Sequence, residues 1–146
     1  MLKIAIIGCG KIADAHAEQV QRIKSAHIIA TCDSEPLMAQ QLAERFGVPM
    51  HFSSVDDMLA RARPDVVHIT TPPQSHFSLG SQCLGAGCHV YMEKPFAVDE
   101  RAALALHRPV HRPGMGGGVL RRAVLEVRWA PRRLAHRGAW HRQNAR

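Results

Sequence analysis

The chain has 146 residues, 46% of them hydrophobic, with 19 Lys+Arg against 12 Asp+Glu and a formal net charge of +7. That length gives one ordinary domain with a real core, and the apolar fraction is that of a globular protein. No run of about 18 apolar residues is present, which excludes a membrane-spanning helix, and Met1 leads straight into an apolar run, so we expect no signal peptide.

The charge is unevenly spread. Residues 1–106 carry nine Lys/Arg and eleven Asp/Glu, whereas residues 107–146 carry ten Arg and a single acid, Glu126. The chain therefore reads as a mildly acidic domain, 1–106, followed by an irregular basic tail, 107–146. The four cysteines, Cys9, Cys32, Cys83 and Cys88, have no C-x-x-C spacing. Cys9, Cys32 and Cys88 lie in or beside predicted strands, where a small buried thiol explains them, and we expect a reduced, cytoplasmic protein with no metal site.

Residues 2–7 are a nearly continuous apolar run, as in a central parallel strand buried on both faces. The loop Gly8-Cys9-Gly10-Lys11-Ile12-Ala13 follows, and then a stretch with helical spacing over 11–24. Strand, glycine turn and helix start come in the order a dinucleotide needs. Gly8 permits the turn, Gly10 lets a pyrophosphate approach the backbone, and Ala13 lets the helix pack closely on the strand. The helix's free N–H groups and positive dipole end then face the phosphates. His16 falls nearer the apolar face of this helix, where a partly buried, hydrogen-bonded histidine is expected rather than a ligand.

Residues 27–33 form a second strand that ends in Asp33, 20 residues after Ala13. That is the usual distance for a carboxylate that accepts hydrogen bonds from the adenosine ribose. The plainer alternative is an Asp that caps the next helix. Ser34-Glu35 follows with no arginine to neutralise a 2′-phosphate, so NAD is expected in preference to NADP.

A helix over 36–46 starts with Pro36 in its first turn and stops at Gly47. A short strand over 48–52 and a short helix over 55–62 come next. Asp56 and Asp57 suit that helix's first turn, which explains the acid pair without metal or catalysis. Residues 65–70 are the fourth strand, running into Thr71-Pro72-Pro73-Gln74-Ser75-His76, where the prolines force a turn. A helix over 75–86 and a fifth strand over 89–92 lead to Glu93-Lys94-Pro95, and Asp99 opens a further helix. This alternation predicts an α/β fold, a doubly wound parallel sheet with right-handed crossovers. Sites in such sheets lie at the carboxyl ends of the strands. The glycine loop, Asp33, Thr71-Pro72 and Glu93-Lys94-Pro95 all fall there.

Gly8-x-Gly10-x-x-Ala13, Asp33, Thr71-Pro72-x-x-x-His76 and Glu93-Lys94-Pro95, in that order and spacing, resemble the Gfo/Idh/MocA oxidoreductases over about residues 1–106. The resemblance implies a Rossmann-type dinucleotide-binding domain, NAD(P) as cofactor, and hydride transfer to or from a hydroxyl carbon of a sugar, cyclitol or related compound. It implies a cofactor site drawn from Gly8, Gly10, Lys11, Ile12, Ala13, Asp33, Thr71, Pro72, His76, Glu93 and Lys94. Lys94 would act as the catalytic residue beside the nicotinamide and the substrate hydroxyl, where its charge polarises or orients the reacting oxygen. Glu93 would sit by the nicotinamide ribose, and Thr71, Pro72 and His76 would line the cofactor cleft. Family members are homo-oligomers with a second, substrate-binding domain.

The 40 residues after Leu106 are too few for that second domain, so a sugar or polyol substrate is expected only if such a domain is supplied. Residues 107–146 lack Ser, Thr, Lys, Asp, Ile, Phe, Tyr and Cys altogether. A shifted reading frame of a GC-rich gene gives such a composition, and we expect a truncated, frameshifted product with a disordered or loosely packed tail. One piece, residues 119–130, has enough apolar residues to cover the sheet edge. The alternatives to a family enzyme are an NAD-binding module without turnover and, ranked third, a nucleic-acid binder using the tail non-specifically.

Overall fold

The computed structural model describes residues 1–95, Arg101, Leu106 and the backbone of Ala123–Leu125. The expectations for the helix opened by Asp99 and for most of the basic tail lie outside the described residues. In chain order the elements are β1 (Leu2–Ile7), α1 (Lys11–Gln21), β2 (Ala26–Cys32), α2 (Pro36–Phe46), β3 (Met50–Phe52), α3 (Val55–Ala62) and β4 (Val66–Ile69). A 3-10 turn, Pro73–Ser75, then leads into α4 (His76–Gly85), β5 (His89–Met92) and β6 (Ala123–Leu125). The described strands form one six-stranded sheet, ordered β3-β2-β1-β4-β5-β6, and every pairing is parallel.

Local chemistry explains the helix boundaries. Pro36 occupies the first turn of α2, where its missing N–H costs nothing. Gly47 closes that helix in the left-handed conformation at φ 64°. Ser54 caps α3 by accepting the Asp57 N–H. Helix α1 stops at Gln21, three residues before its expected end, so Ile23 is left exposed.

The core has two layers, one on each face of the sheet. Ala13, Ala17 and Val20 of α1 and Ala39, Leu42 and Ala43 of α2 pack with Ile4, Ile6 and Ile28. On the other face, Met58 of α3 and Cys83 and Leu84 of α4 pack with Ile7, Val67, Ile69, Val90 and Met92. Ile6, Leu42, Met58, Ile69 and Met92 are fully buried, and each such side chain contributes about 1.5–3 kcal/mol. Along β4 and β5 the alternation is one-sided. Val67, Ile69, Val90 and Met92 are buried, while Val66, His68, His89 and Tyr91, pointing to the α1 side, are only half-buried.

The edge strand β6 pairs Ala123 with Val90 and Leu125 with Met92, at the sheet edge that the apolar stretch 119–130 is expected to cover. The sheet thus takes in three residues beyond the expected domain boundary at 106, because the β5 edge offers a row of unpaired backbone groups. No helix among the described residues is long and apolar enough to cross a membrane.

Candidate functional site

The glycine loop turns between Ile7, the last residue of β1, and Lys11, the first of α1. Gly8 sits at φ +90°, and a Cβ there would lie 2.7 Å from Thr71 Cγ2 and 2.8 Å from the Thr71 backbone nitrogen. Backbone conformation and close approach therefore both require glycine. Gly10 is the N-cap of α1 with no side-chain cap, and a Cβ there would meet no protein atom within 4 Å. The space in front of the helix N-terminus is open, with uncapped N–H groups and the positive dipole end beside it. Ala13 is fully buried and lets α1 close on the sheet. This is the close helix–strand packing expected of a small residue at this position, and Ala13 does not line the cleft.

Asp33 follows β2 and stitches the loop to it. Its Oδ2 accepts the Cys9 N–H at 2.6 Å. Its Oδ1 accepts the Glu35 N–H at 3.0 Å. The Gly8 N–H donates to the Cys32 carbonyl at 2.8 Å. The N-cap of α2 is Glu35, not Asp33, so the simple capping alternative for Asp33 is set aside. A carboxylate has about four lone-pair sites, and Asp33 keeps acceptor capacity toward the cleft. The two cysteines flanking it are inert. Burial, and then the charge of Asp33, push the Cys9 thiol up to about 12 and the Cys32 thiol up to about 11. Neither supplies a thiolate nucleophile.

These groups open onto a cleft of about 820 Å³. Gly8, Gly10, Lys11, Ile12, Asp33, Thr71 and Pro72 all line it. A smaller cavity of about 230 Å³, lined by His16, His68, Tyr91 and Glu93, adjoins it, with Ile12 lining both. Asp33 and the glycines line the larger cleft, and Glu93 lines the smaller cavity.

His76 is placed differently from its expectation. It is wholly buried and is not in the cleft wall. One ring nitrogen, Nε2, lies 2.8 Å from the Thr71 carbonyl and the other, Nδ1, 2.9 Å from the Pro95 carbonyl. The ring ties the loop after β4 to the loop after β5. A carbonyl only accepts, so a neutral ring serves one of the two and a doubly protonated ring serves both.

The Glu93-Lys94-Pro95 loop is held from several sides. The Glu93 N–H donates to the Ile69 carbonyl at 3.0 Å. One Glu93 carboxylate oxygen lies 2.8 Å from His16 Nε2. The other accepts the Lys94 N–H at 3.3 Å. The Lys94 side chain is exposed at the rim. His16 is 6% exposed and hydrogen-bonded, as its place near the apolar face of α1 suggests. Its partners were not legible. His68 Nδ1 lies 3.1 Å from His16 Nδ1, and the His68 ring stacks on Tyr91 with centroids 4.6 Å apart. Burial, and then the neighbouring His16, hold His68 down at about 4, so it is neutral near pH 7. Only the half-polar alternation of β4 and β5, with His68 and Tyr91 on one face, hinted at this cluster. Among the described residues, no group of three or more His, Cys, Asp or Glu side chains is arranged to hold a metal ion.

A parallel sheet with helices on both faces, a glycine turn at the first helix and an acid at the end of the second strand define a dinucleotide-binding Rossmann domain. The family model described as "Oxidoreductase family, NAD-binding Rossmann fold" matches residues 2–112. The chain belongs to this family, Gfo/Idh/MocA. It is 38% identical over 103 residues to D-glucoside 3-dehydrogenase of Escherichia coli K12, a match that spans 70% of this chain and 29% of that protein. Among solved structures it resembles GenD2 from gentamicin A biosynthesis in complex with NAD (TM-score 0.69, 27% identity, 73% of this chain and 30% of that one). It also resembles the WlbA dehydrogenase from Chromobacterium violaceum in complex with NADH and UDP-GlcNAcA (TM-score 0.67, 35% identity, 72% and 30%). The chain thus spans about a third or less of the length of these relatives.

Proposed function

We propose that this chain is the cofactor-binding part of an NAD-dependent oxidoreductase that moves a hydride between nicotinamide and a hydroxyl carbon of a sugar, cyclitol or related compound. The observation that carries this reading is that Gly8, Gly10, Lys11 and Asp33 line one cleft of about 820 Å³. Asp33 accepts the adenosine ribose hydroxyls. With Glu35 rather than arginine beside it, it disfavours a 2′-phosphate, so NAD is chosen over NADP. Gly10, Lys11 and Ile12 meet the pyrophosphate at the α1 N-terminus. Thr71 and Pro72 line the cleft, and Glu93 lies by the nicotinamide ribose.

Lys94 sits at the rim, where an ammonium can polarise or orient the reacting oxygen. When bound, NAD supplies the hydride acceptor; the protein's part is to orient it, to keep the glycine turn open and to present Lys94. Hydride transfer also needs the substrate carbon held close and its hydroxyl proton accepted by a positioned base, and no described residue faces Lys94 in that role. A substrate-binding wall from a further domain would complete the site, as would the homo-oligomeric assembly the family resemblance implies. The four buried cysteines, none of them in a disulfide, fit a reducing cytoplasm.

The reading is tested by following NADH absorbance with a panel of polyols and sugars, using the 146-residue chain alone and mixed with a separately expressed substrate domain of a relative. Turnover that depends on the added domain and is lost in Lys94→Ala supports it. NAD reduction unaffected by Lys94→Ala would remove Lys94 from the chemistry. A second reading, an NAD-binding module without turnover, is favoured for the chain by itself, given the share of its relatives that it spans.

A further inference from the structure

Glu93 does not stand alone in the smaller cavity. A carboxylate only accepts, so His16 donates to Glu93 through Nε2. Two proton arrangements then satisfy the His16–His68 contact. In one, neutral His16 accepts at Nδ1 from the Nδ1–H of His68. In the other, doubly protonated His16 donates through both nitrogens, and His68 accepts at Nδ1 while carrying its own proton on Nε2. Both keep the 2.8 Å and 3.1 Å contacts. What changes is charge: the His16–Glu93 pair passes from minus one to zero without moving a heavy atom. The pair is well shielded, with side-chain exposures of 6% and 17%, so its charge acts over several ångströms with little screening.

Among the described residues, other charged and aromatic groups also flank His16. His68 from β4 is held neutral. Tyr91 from β5 packs edge-on to His16, with ring centroids 5.5 Å apart, and the Lys94 side chain is exposed. On α1 itself, Asp14 pairs with Arg45 at 2.7 Å, and Glu18 is exposed.

Resting on the cofactor placement proposed above, we propose that His16 and Glu93 form a proton-linked charge switch that sets which redox state of the nicotinamide the site prefers. Oxidised nicotinamide carries one positive charge on its ring and reduced nicotinamide none. The pair at minus one favours the oxidised ring, and the neutral pair removes that preference. NAD⁺ binding therefore shifts His16 toward its neutral form, releasing part of a proton, and reduction of the ring shifts it back. In alcohol oxidation the substrate C–H bond breaks with its electron pair going to the ring, and the hydroxyl proton leaves as the C=O bond forms. The partial proton uptake by His16 offsets part of that released proton while NADH stays bound. His16 acts here as a positioning and charge-setting residue and touches no substrate.

The test is calorimetry of NAD⁺ and of NADH on the 146-residue chain at about pH 6 and about pH 8, either side of the ordinary histidine range, in two buffers of different ionisation enthalpy. The expected result is an NAD⁺-over-NADH affinity ratio that rises about fivefold with pH. It comes with proton release on NAD⁺ binding at the lower pH and none on NADH binding. His16→Gln keeps an N–H donor toward Glu93 but cannot titrate, so its ratio is flat with pH; Glu93→Gln is flat as well. A pH-independent ratio in the parent overturns the switch, and so does an unchanged pH dependence in His16→Gln. If His16→Gln does not fold, the parent's proton release decides alone. A parent that binds neither dinucleotide would overturn the cofactor reading itself, whereas one that binds both with a flat ratio overturns only the switch.

Discussion

Gly8 and Gly10 are two residues apart and fail in opposite ways when substituted, which makes them a sharp test of the cleft. At Gly10 the backbone lies at φ −75°, ψ −172°, a region open to any L-residue, and an added Cβ meets nothing within 4 Å. Gly10→Ala gives up a few tenths of a kcal/mol or more of N-cap preference. It recovers about 0.4–1 kcal/mol by restricting the unfolded chain. The fold therefore changes in stability by less than about 1 kcal/mol. The methyl does, however, occupy the approach of the pyrophosphate to the helix N-terminus. Losing one charge-assisted hydrogen bond of about 1.5–3 kcal/mol weakens NAD by about ten- to a hundredfold. Gly8→Ala is the reverse case. The left-handed backbone costs about 1–2 kcal/mol, and the Thr71 backbone at 2.8 Å cannot yield, so the fold itself is lost or strongly weakened. The assay is a denaturant melt beside calorimetry with NAD and with adenosine, which has no pyrophosphate. Gly10→Ala should melt like the parent, bind adenosine like the parent and lose NAD. NAD binding within about twofold of the parent would refute the placement of the pyrophosphate at Gly10.

Three further outcomes are expected. His68 sits near 4 in the fold against 6.5 for an ordinary histidine, so below about pH 6.5 the unfolded chain binds the proton first. Its contribution is intact above that pH and is lost as pH falls toward about 4, by up to about 3 kcal/mol; denaturant midpoints across this window should show a slope that His68→Gln reduces, and an equal slope in the variant would contradict the assignment. His76→Leu removes the ring that reaches the Thr71 and Pro95 carbonyls and should cost about 2–4 kcal/mol in urea; a loss under about 0.5 kcal/mol would mean the ring does not hold the two loops together. Arg45→Ala removes an exposed pair with Asp14 and should cost less than about 1 kcal/mol, a change above about 2 kcal/mol being inconsistent with a solvated ion pair.

The fold was legible in the sequence because its signals are local. Pro36 and Gly47 bracket one helix, Ser54 caps another, and the Gly8–Gly10 turn with Asp33 after the next strand marks the cofactor end of the sheet. Helix and strand ends shifted by a few residues where no cap or glycine fixed them, as at Gln21. The far end of the site was less legible because it is built from distant residues. His16 meets His68 52 positions away and Glu93 77 positions away, contacts that only the order of β1, β4 and β5 creates. His76 shows the same limit. Its motif announced a role at the cleft, but the turn at Pro73–Ser75 rotates it inward, and it bridges two carbonyls instead of lining the wall.

The central claim is that Asp33 and the glycine turn make an NAD site, and calorimetry of NAD and NADP on the 146-residue chain and on Asp33→Ala tests it most directly. The parent should bind NAD at least about tenfold more tightly than NADP, a difference of about 1.4 kcal/mol, and Asp33→Ala should lose NAD affinity and most of that preference. Equal affinity of the parent for the two cofactors, or NAD binding untouched by the substitution, would contradict it.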